Sequence, residues 1–598
     1  EGVPHGSILS TILFEIKINS IVNVLNANSD CSLYVDDLLV LYRTKAKMET
    51  VERQLQLQLN RLQGWADKNG FKFSPQKTVV VHFCCARKCI RNPDLYLYKK
   101  KIPVKDEVRF LGVIFDKKLS FVPHLKDLRL RCQSALNAVK VLSNPEWGGD
   151  SSTLLTLYRS LIRSKLDYAS FVYGSARESY IKMLDPIHNS GLRLALGAFR
   201  TSPVDSLLAE ADELPLHLRR WKLGIQYALK IKSTPENPVF DSIFNITKER
   251  KAFFAENPSK IPPFGIRIQP HLDNMELSED EISPFKLPSS PPWKFSRPVV
   301  DLSLSRFTKS DTGAEVFREE FELTKKRYSL STFIFSDGSK DSLAVGAAAC
   351  SGESTRQKKL NPCSSIFTSE ASALLLALDI VEASSERHFV ICSDSLSVLK
   401  SLKSFDITNT EILPVLEKIN ILAQQKTIVF VWIPGHCGID GNEKADGLAK
   451  QATRFEKHSV DPVPHSDLRY VITRGIAIQW NNYWSTLEKN KLREIMPNQT
   501  KRPDPAVFKN RKLNSIFTRL RIGHSPYTHG YLLRGEPPPW CVGCDRKITI
   551  KHILLECVDF YEIREKHIRT KSLEVLFNVV DPQNVIRFLK EIGLLAKI

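Results

Sequence analysis

Four acidic residues in the second half of the chain stand where carboxylates can do chemistry. Asp337 follows the apolar run FIFS and precedes Gly338 and Ser339. Asp394 follows HFVICS, Glu370 follows Thr368 and Ser369 at the head of a helix-forming run, and Asp446 lies in GNEKADGLAKQA. An acid at the end of an apolar strand is poorly solvated, so a cation is its natural partner. Hard carboxylate oxygens select Mg²⁺. Two such ions can activate a water and stabilise the leaving oxygen of a phosphodiester. His436, on the glycine-flanked loop of WIPGHCGIDGNEKAD, is placed to move protons or to aid product release. Asn442 sits one helical turn before Asp446 on the same face, in reach of a bound nucleic acid. Singly, each residue has an ordinary use as a helix-start acid, a cap or a polar loop residue.

Two further constellations carry chemistry. Tyr34-Val35-Asp36-Asp37 sits within CSLYVDDLLVLY, and adjacent carboxylates in an apolar hairpin repel unless a cation is near. Near the C-terminus, Cys541, Cys544, His552 and Cys557 have the spacing C-x2-C-x7-H-x4-C. Three thiolates and an imidazole suit tetrahedral Zn²⁺. Upstream lie TKRP and NRKLNSIFTRLRIGHSPYTHGYLLR, where basic residues alternate with aromatics. Arg511, Lys512, Arg519 and Arg521 are the expected backbone contacts there, beside rings that can stack on bases. Cys84, Cys85 and Cys89 cluster without a fourth ligand at a useful distance and read as core or surface thiols.

The elements that must position these groups follow from patterning. Residues 328–455 alternate strand and helix: FIFSD, LAVGAAAC, HFVICSD and TIVFVWI as strands, SEASALLLALDIVEAS, SLSVLKSLK, EILPVLEKINILAQQ and GNEKADGLAKQA as helices. That order predicts a mixed sheet with helices packed against it, within an α/β multidomain chain. Residues 1–120 carry strand-like apolar runs (CSLYVDD, TVVVHF, RFLGVIF) and a polar helix near 45–68. Residues 121–235 show helical spacing, 236–327 are rich in proline around the acidic stretch ELSEDE and read as a linker, and 456–598 are basic and helical.

The chain has 598 residues, 42% hydrophobic and 25% charged, with a net charge of +19. That length suits several domains, and that charge suits a polyanionic partner. The cysteines number only twelve, and residues such as Cys31, Cys132, Cys350 and Cys392 stand apart, which suits a reducing compartment. With no signal peptide and no apolar run long enough to span a bilayer, an intracellular location without membrane contact is expected, nucleus or cytoplasm left open. The absence of an initiator Met suggests a fragment of a longer reading frame.

In this order, FSDGS, the Glu of TSEASALLLAL, CSDS and WIPGHCGIDGNEKADGLA resemble type 1 ribonuclease H. The resemblance implies a four-carboxylate site at Asp337, Glu370, Asp394 and Asp446 that holds two Mg²⁺ ions. It also implies a mobile histidine at His436 and cleavage of the RNA strand of an RNA–DNA hybrid. A basic protrusion that some members carry after SLSVLKSLKS is absent. GVPHGSILSTILF, YVDD, GWADKNGFKFSPQKT and VRFLGVIFD are similar to the second half of a reverse-transcriptase palm of jockey-like non-LTR retrotransposons. That resemblance makes residues 121–235 a thumb or connector and makes the Cys/His cluster a C-terminal zinc knuckle that binds element RNA. The family's other catalytic aspartate lies upstream of GVPHGS, so residues 1–120 are expected not to polymerise alone. His5 and Thr11 depart from the usual Gln and Pro. The reading is a hybrid-specific ribonuclease within a retrotransposon polyprotein. The alternative is a decayed or domesticated element that grips nucleic acid without cutting it.

Overall fold

The computed structural model describes residues 6–25, 29–44, 46–84, 91–275, 282–288, 290–342, 344–404, 410–456, 461–498 and 506–598. His5, Cys85, Cys89, ELSEDE (276–281) and TKRP (500–503) lie outside them. The chain divides into two compact units: Glu1–Ala198 with Phe508–Ser515, and Phe199–Val507 with Ile516–Ile598. Among the described residues, no helix is long and apolar enough to cross a membrane.

In the first unit, β1 (Ser29–Tyr34) and β2 (Asp37–Tyr42) form a hairpin closed by Val35 and Asp36. Val35 has φ 54°, a strained angle for a β-branched residue, so the turn that presents the two aspartates is held under tension. The helix Met48–Asn69 lays Leu62, Trp65 and Ala66 against Ile18 and Ile21. Small hairpins follow, β3 (Tyr96–Leu97) with β4 (Lys100–Lys101) and β5 (Glu107–Phe110) with β6 (Val113–Asp116). RFLGVIF is thus two strands rather than one, because Leu111 and Gly112 both take positive φ and reverse the chain in two residues. TVVVHF reduces to a single bridge between Val80 and Val104. Residues 122–196 are helical, as their apolar spacing predicts.

The second unit contains a six-stranded sheet of order β10-β9-β8-β11-β12-β7. Its strands are β7 (Val299–Asp301), β8 (Thr332–Lys340), β9 (Val345–Ser351), β10 (Ser354–Leu360), β11 (His388–Ser393) and β12 (Thr427–Trp432). β8, β9 and β10 form an antiparallel meander, while β8, β11, β12 and β7 run parallel. The helices Ile366–Ala383 and Asp440–Ala452 cover opposite faces. A Cβ on Gly338 would lie 2.7 Å from the Glu370 nitrogen of the first helix. A Cβ on Gly346, which pairs with the next residue of β8, would lie 2.4 Å from the Ala449 carbonyl of the second. Small residues along β9, with Ala347, Ala348 and Ala349 fully buried, let both helices approach closely. The segment read as a proline-rich linker is partly structured: it holds the helices Phe264–Asp273 and Ala314–Arg327 and donates β7. Val299, Val300 and Asp301 pair with β12 without the length or alternation that marks a strand in sequence.

Two expected nucleic-acid contacts are interior packing residues. Arg511 is 4% exposed, and its guanidinium donates to the Leu194 and Ala195 carbonyls at 2.6 and 2.7 Å. It satisfies the open carbonyls at the end of the helix Asp185–Leu196. Arg521 is 7% exposed and pairs with buried Glu210, Nε to Oε1 at 2.8 Å. Arg519 is half-buried and donates to the Ile598 carbonyl at 3.0 Å, whereas Lys512 is exposed. A basic helix carries the same letters whether its arginines face water or cap another helix. Arg521→Ala leaves Glu210 as an uncompensated buried charge and is expected to cost about 3–5 kcal/mol. Urea unfolding of the full chain measures this, and a loss below about 1 kcal/mol contradicts the structural role.

Candidate functional site

The parallel ladder between β8 and β11 ends at the pair Ser336–Ser393. The next residue after each is an aspartate, so Asp337 and Asp394 stand side by side where the ladder stops. Asp337 lies inside β8 rather than at its end, because β8 continues to Lys340 against β9. Glu370 stands in the second turn of Ile366–Ala383, whose N-cap Ser365 accepts from the Thr368 N–H at 3.2 Å. The closeness of Gly338 to this turn sets Glu370 over the strand. Carboxylate oxygens of Asp337, Glu370 and Asp394 all lie within 4.8 Å of one another. Asp337 is 6% exposed, Glu370 7%, and Asp394 half-buried.

Three acids in so small a volume oppose one another. Burial pushes Asp337 up to about 8, with Asp394 and then Asp446 adding to the rise. Glu370 is pushed up to about 9 by burial, then by Asp337 and Asp394. Asp394 is raised by burial, against the pull of Lys309 and His436. The Gly338 backbone N–H works the other way on both Asp337 and Glu370. Glu370 Oε2 is buried with no hydrogen-bond partner among the described residues. Buried carboxylates with one oxygen left bare fit a divalent cation.

Asp446 belongs to a neighbouring group. It lies with His436 and Glu443, ligand atoms again within 4.8 Å, and Lys450 donates to it at 2.6 Å. His436 Nδ1 is 4.0 Å from Asp446 Oδ2, and the ring is exposed. The loop that carries it takes φ 57° at His436, a left-handed angle uncommon outside glycine. Asn442 is 2% exposed, so it is a core residue of its helix rather than a surface contact. Sequence reasoning missed Glu443 and Lys309. Glu443 was visible at i−3 from Asp446 in GNEKAD. Lys309, which donates to the Gly435 carbonyl at 2.9 Å, comes from a segment with no local signal.

At the C-terminus, ligand atoms of Cys541, Cys544, His552 and Cys557 all lie within 4.8 Å of one another. The hairpin β13 (Trp540–Cys541) and β14 (Arg546–Lys547) holds the first two, and the turn His552–Glu556 leads to Cys557. Cys557 Sγ is 3.8 Å from both Cys541 Sγ and Cys544 Sγ. That is far too long for a disulfide and matches the edge of a tetrahedron whose ligands stand about 2.3 Å from zinc. Both ring nitrogens of buried His552 lack a hydrogen-bond partner among the described residues. Burial pushes the Cys557 thiol up to about 12, while the Val558 N–H lowers that of Cys544. The set fits a metal ion.

Residues 330–454 match the RNase H family model. The three clustered carboxylates, Asp446 and His436 all fall inside that RNase H segment. Residues 1–115 match the family described as reverse transcriptase (RNA-dependent DNA polymerase). Among curated relatives is the probable RNA-directed DNA polymerase from transposon X-element of Drosophila melanogaster, 26% identical over 33% of this chain and 22% of that protein. Another is the RNA-directed DNA polymerase from mobile element jockey of Drosophila funebris, 26% identical over 33% of this chain and 22% of that protein. The Pol polyprotein from type-1 retrotransposable element R1 of Nasonia vitripennis is 23% identical over 36% of this chain and 66% of that protein. The matched stretch thus spans about a fifth of the first two relatives. Two solved structures each align with 21% of the chain at a TM-score of 0.18. They are an N-terminal RNase H domain from Mycobacterium tuberculosis fused to maltose-binding protein, 19% identical over 98% of that chain, and an RNase H1 in complex with an RNA/DNA hybrid, 16% identical over 96%.

The raised carboxyls give a pH signature. In the folded chain Asp337 and Glu370 keep protons that the unfolded chain releases from about pH 4. Without added divalent ion, stability is therefore full below that range and is lost as pH rises toward 8 and 9. The melting temperature is expected to rise on adding Mg²⁺, and to rise more near pH 8 than near pH 5, where protons already relieve the repulsion. An equal Mg²⁺ response at the two pH values contradicts this.

Proposed function

We propose that the RNase H segment cleaves the RNA strand of RNA–DNA hybrids, as part of a non-LTR retrotransposon polyprotein. One observation carries this: three carboxylates, two buried and one half-buried, share a volume with oxygens within 4.8 Å, and none of them forms an ion pair among the described residues. Asp337, Glu370 and Asp394, with Asp446 beside them, would hold Mg²⁺. When bound, the ions supply an activated water and stabilise the leaving 3′ oxygen. The chain's own residues do the rest. The end of the β8–β11 ladder fixes the spacing of Asp337 and Asp394. Lys450 holds Asp446 in place, and exposed His436, within 4.0 Å of it, is free to take up a proton from solvent or product. Lys309 fixes the loop carrying His436 through the Gly435 carbonyl. The match of residues 1–115 and the strained turn at Asp36 and Asp37 support descent from a reverse transcriptase.

Purified full chain with Mg²⁺ is expected to cut the RNA of a labelled hybrid and to spare single-stranded RNA. Asp394→Asn keeps the side-chain shape but removes a ligand's charge, and cleavage should fall by at least about a hundredfold, the scale of losing electrostatic stabilisation in a site. Undiminished cleavage in that variant sinks the assignment.

We further propose that Cys541, Cys544, His552 and Cys557 bind one Zn²⁺ ion that stabilises the C-terminal tip. Ile553 and Leu554, fully buried between two of the ligands, tie the metal to a small core. Native mass spectrometry of the full chain should find one zinc per molecule, absent from the Cys541→Ser/Cys544→Ser variant while hybrid cleavage persists. A folded wild-type chain without zinc refutes this reading.

A further inference from the structure

Arg511, Arg519 and Arg521 are taken up by internal partners, yet the segment just after them assembles a different cationic group. Gly523, at φ 78°, ends the helix Arg511–Ile522 and turns the chain into GHSPYTHG. A Cβ there would lie 2.8 Å from Lys491 Cδ, so the bare glycine lets the lysine stem pass. Lys491 Nζ lies 3.1 Å from His529 Nε2 and 3.4 Å from the Gly523 carbonyl. The His529 ring stacks on His524, centroids 3.7 Å apart and planes 18° from parallel. Thr528 Oγ1 sits 2.8 Å from His529 Nδ1, and Thr201 Oγ1 sits 3.2 Å from His524 Nδ1. A reciprocal cap between Ser525 and Thr528 fixes the short turn that carries them. From the zinc hairpin, Lys547 donates to the Tyr531 hydroxyl at 2.8 Å and lies over that ring.

Among the described residues, no carboxylate pairs with this group. Burial first, and then the ammonium groups of Lys491 and Lys547, push His524 down to about 4 and His529 to about 3, so both imidazoles are neutral and the positive charge lies on the two lysines. Lys491 is itself lowered by burial and then by Lys547. Neither lysine makes a salt bridge among the described residues. An ammonium has three donors. Lys491 uses two on weakly held partners, and Lys547 uses one. Half-buried cations without a paired carboxylate are costly unless an anion completes the site.

We propose that Lys491, His524, His529 and Lys547 form a phosphate-binding site that takes a backbone phosphate of a nucleic-acid strand. The open donors of the two lysines supply the charge-assisted bonds. The stacked imidazoles form a rigid wall, and Tyr531 offers a ring on which the adjoining base can stack. The site reads no base, so it serves as a sequence-independent grip beside the zinc hairpin. It rests on the reading of the chain as a nucleic-acid enzyme, but its test needs no cleavage.

The experiment is fluorescence anisotropy with full, zinc-loaded chain and a labelled single-stranded RNA, in buffer without Mg²⁺, across a range of salt. Lys491→Met/Lys547→Gln should bind roughly tenfold more weakly at low salt. The slope of log affinity against log salt should become shallower by about 0.7 for each phosphate that is no longer neutralised. Lys491→Arg, which keeps the charge, should recover most of the affinity. Unchanged affinity and slope in the double variant, with wild-type melting temperature and zinc content, overturn the proposal. Should the double variant fail to fold, Lys547→Gln alone decides, since its half-exposed side chain leaves the core intact. The second arm separates the backbone from free phosphate. Inorganic phosphate at matched ionic strength should raise the melting temperature of the wild type and raise it less in Lys547→Gln. A phosphate effect with an RNA salt slope unaltered by Lys547→Gln assigns the site to free phosphate and overturns the backbone role. Loss of RNA cleavage in any variant bears only on the nuclease reading.

Discussion

Mutual repulsion among three carboxylates in a low-dielectric pocket is the constraint on which the second unit depends. Left alone, Asp337, Glu370 and Asp394 would separate or stay protonated. The sheet prevents the first: two adjacent parallel strands end their pairing at the same level, and a helix is pinned over them by a glycine with no side chain. β8 and β11, hydrogen-bonded to each other and packed into one core, cannot easily splay to relieve the charge. Burial and this mutual repulsion hold the Asp337 and Glu370 carboxyls well above the ordinary carboxylate range. A divalent cation among the three carboxylates would relieve that repulsion, and the packing fits such an ion.

Much of this was legible in the sequence, and the reasons are physical. FIFSD, HFVICSD and TIVFVWI are continuous apolar runs because parallel strands are covered on both faces, and such runs announce themselves. SEASALLLAL keeps Ala and Ser where the helix crosses the sheet closely. The carboxylates stood out because an acid is rare at the end of such a run. What could not be read was anything decided by distant partners. β7 is three residues long and is a strand only because β12 offers it an edge. Asn442 shares a helix face with Asp446 by arithmetic, but the sheet buries it. Arg511 and Arg521 were indistinguishable from surface cations until the helix end and the glutamate that they satisfy were brought to them by the fold.

The C-terminal region repeats the lesson in another chemistry. The Cys/His spacing was readable because a metal requires its ligands in a short stretch, and the structure draws all four together. The cationic group next to it was not, because it joins Lys491, His524, His529 and Lys547 from three separate segments. One cluster gathers carboxylates and the other lysines, and among the described residues neither the three carboxylates nor the two lysines form an ion pair. Polyanionic substrate and divalent cation together would satisfy both, which fits a basic chain of +19.

We propose that Asp337, Glu370 and Asp394 are a divalent-cation site. Its most direct test is an anomalous difference map from crystals grown with Mn²⁺ as a stand-in for Mg²⁺. The account predicts a strong peak within bonding distance of oxygens from all three carboxylates, with Asp446 at its border. A fully ordered site with no peak among the three, or with Mn²⁺ held only at His436 and Glu443, would contradict it.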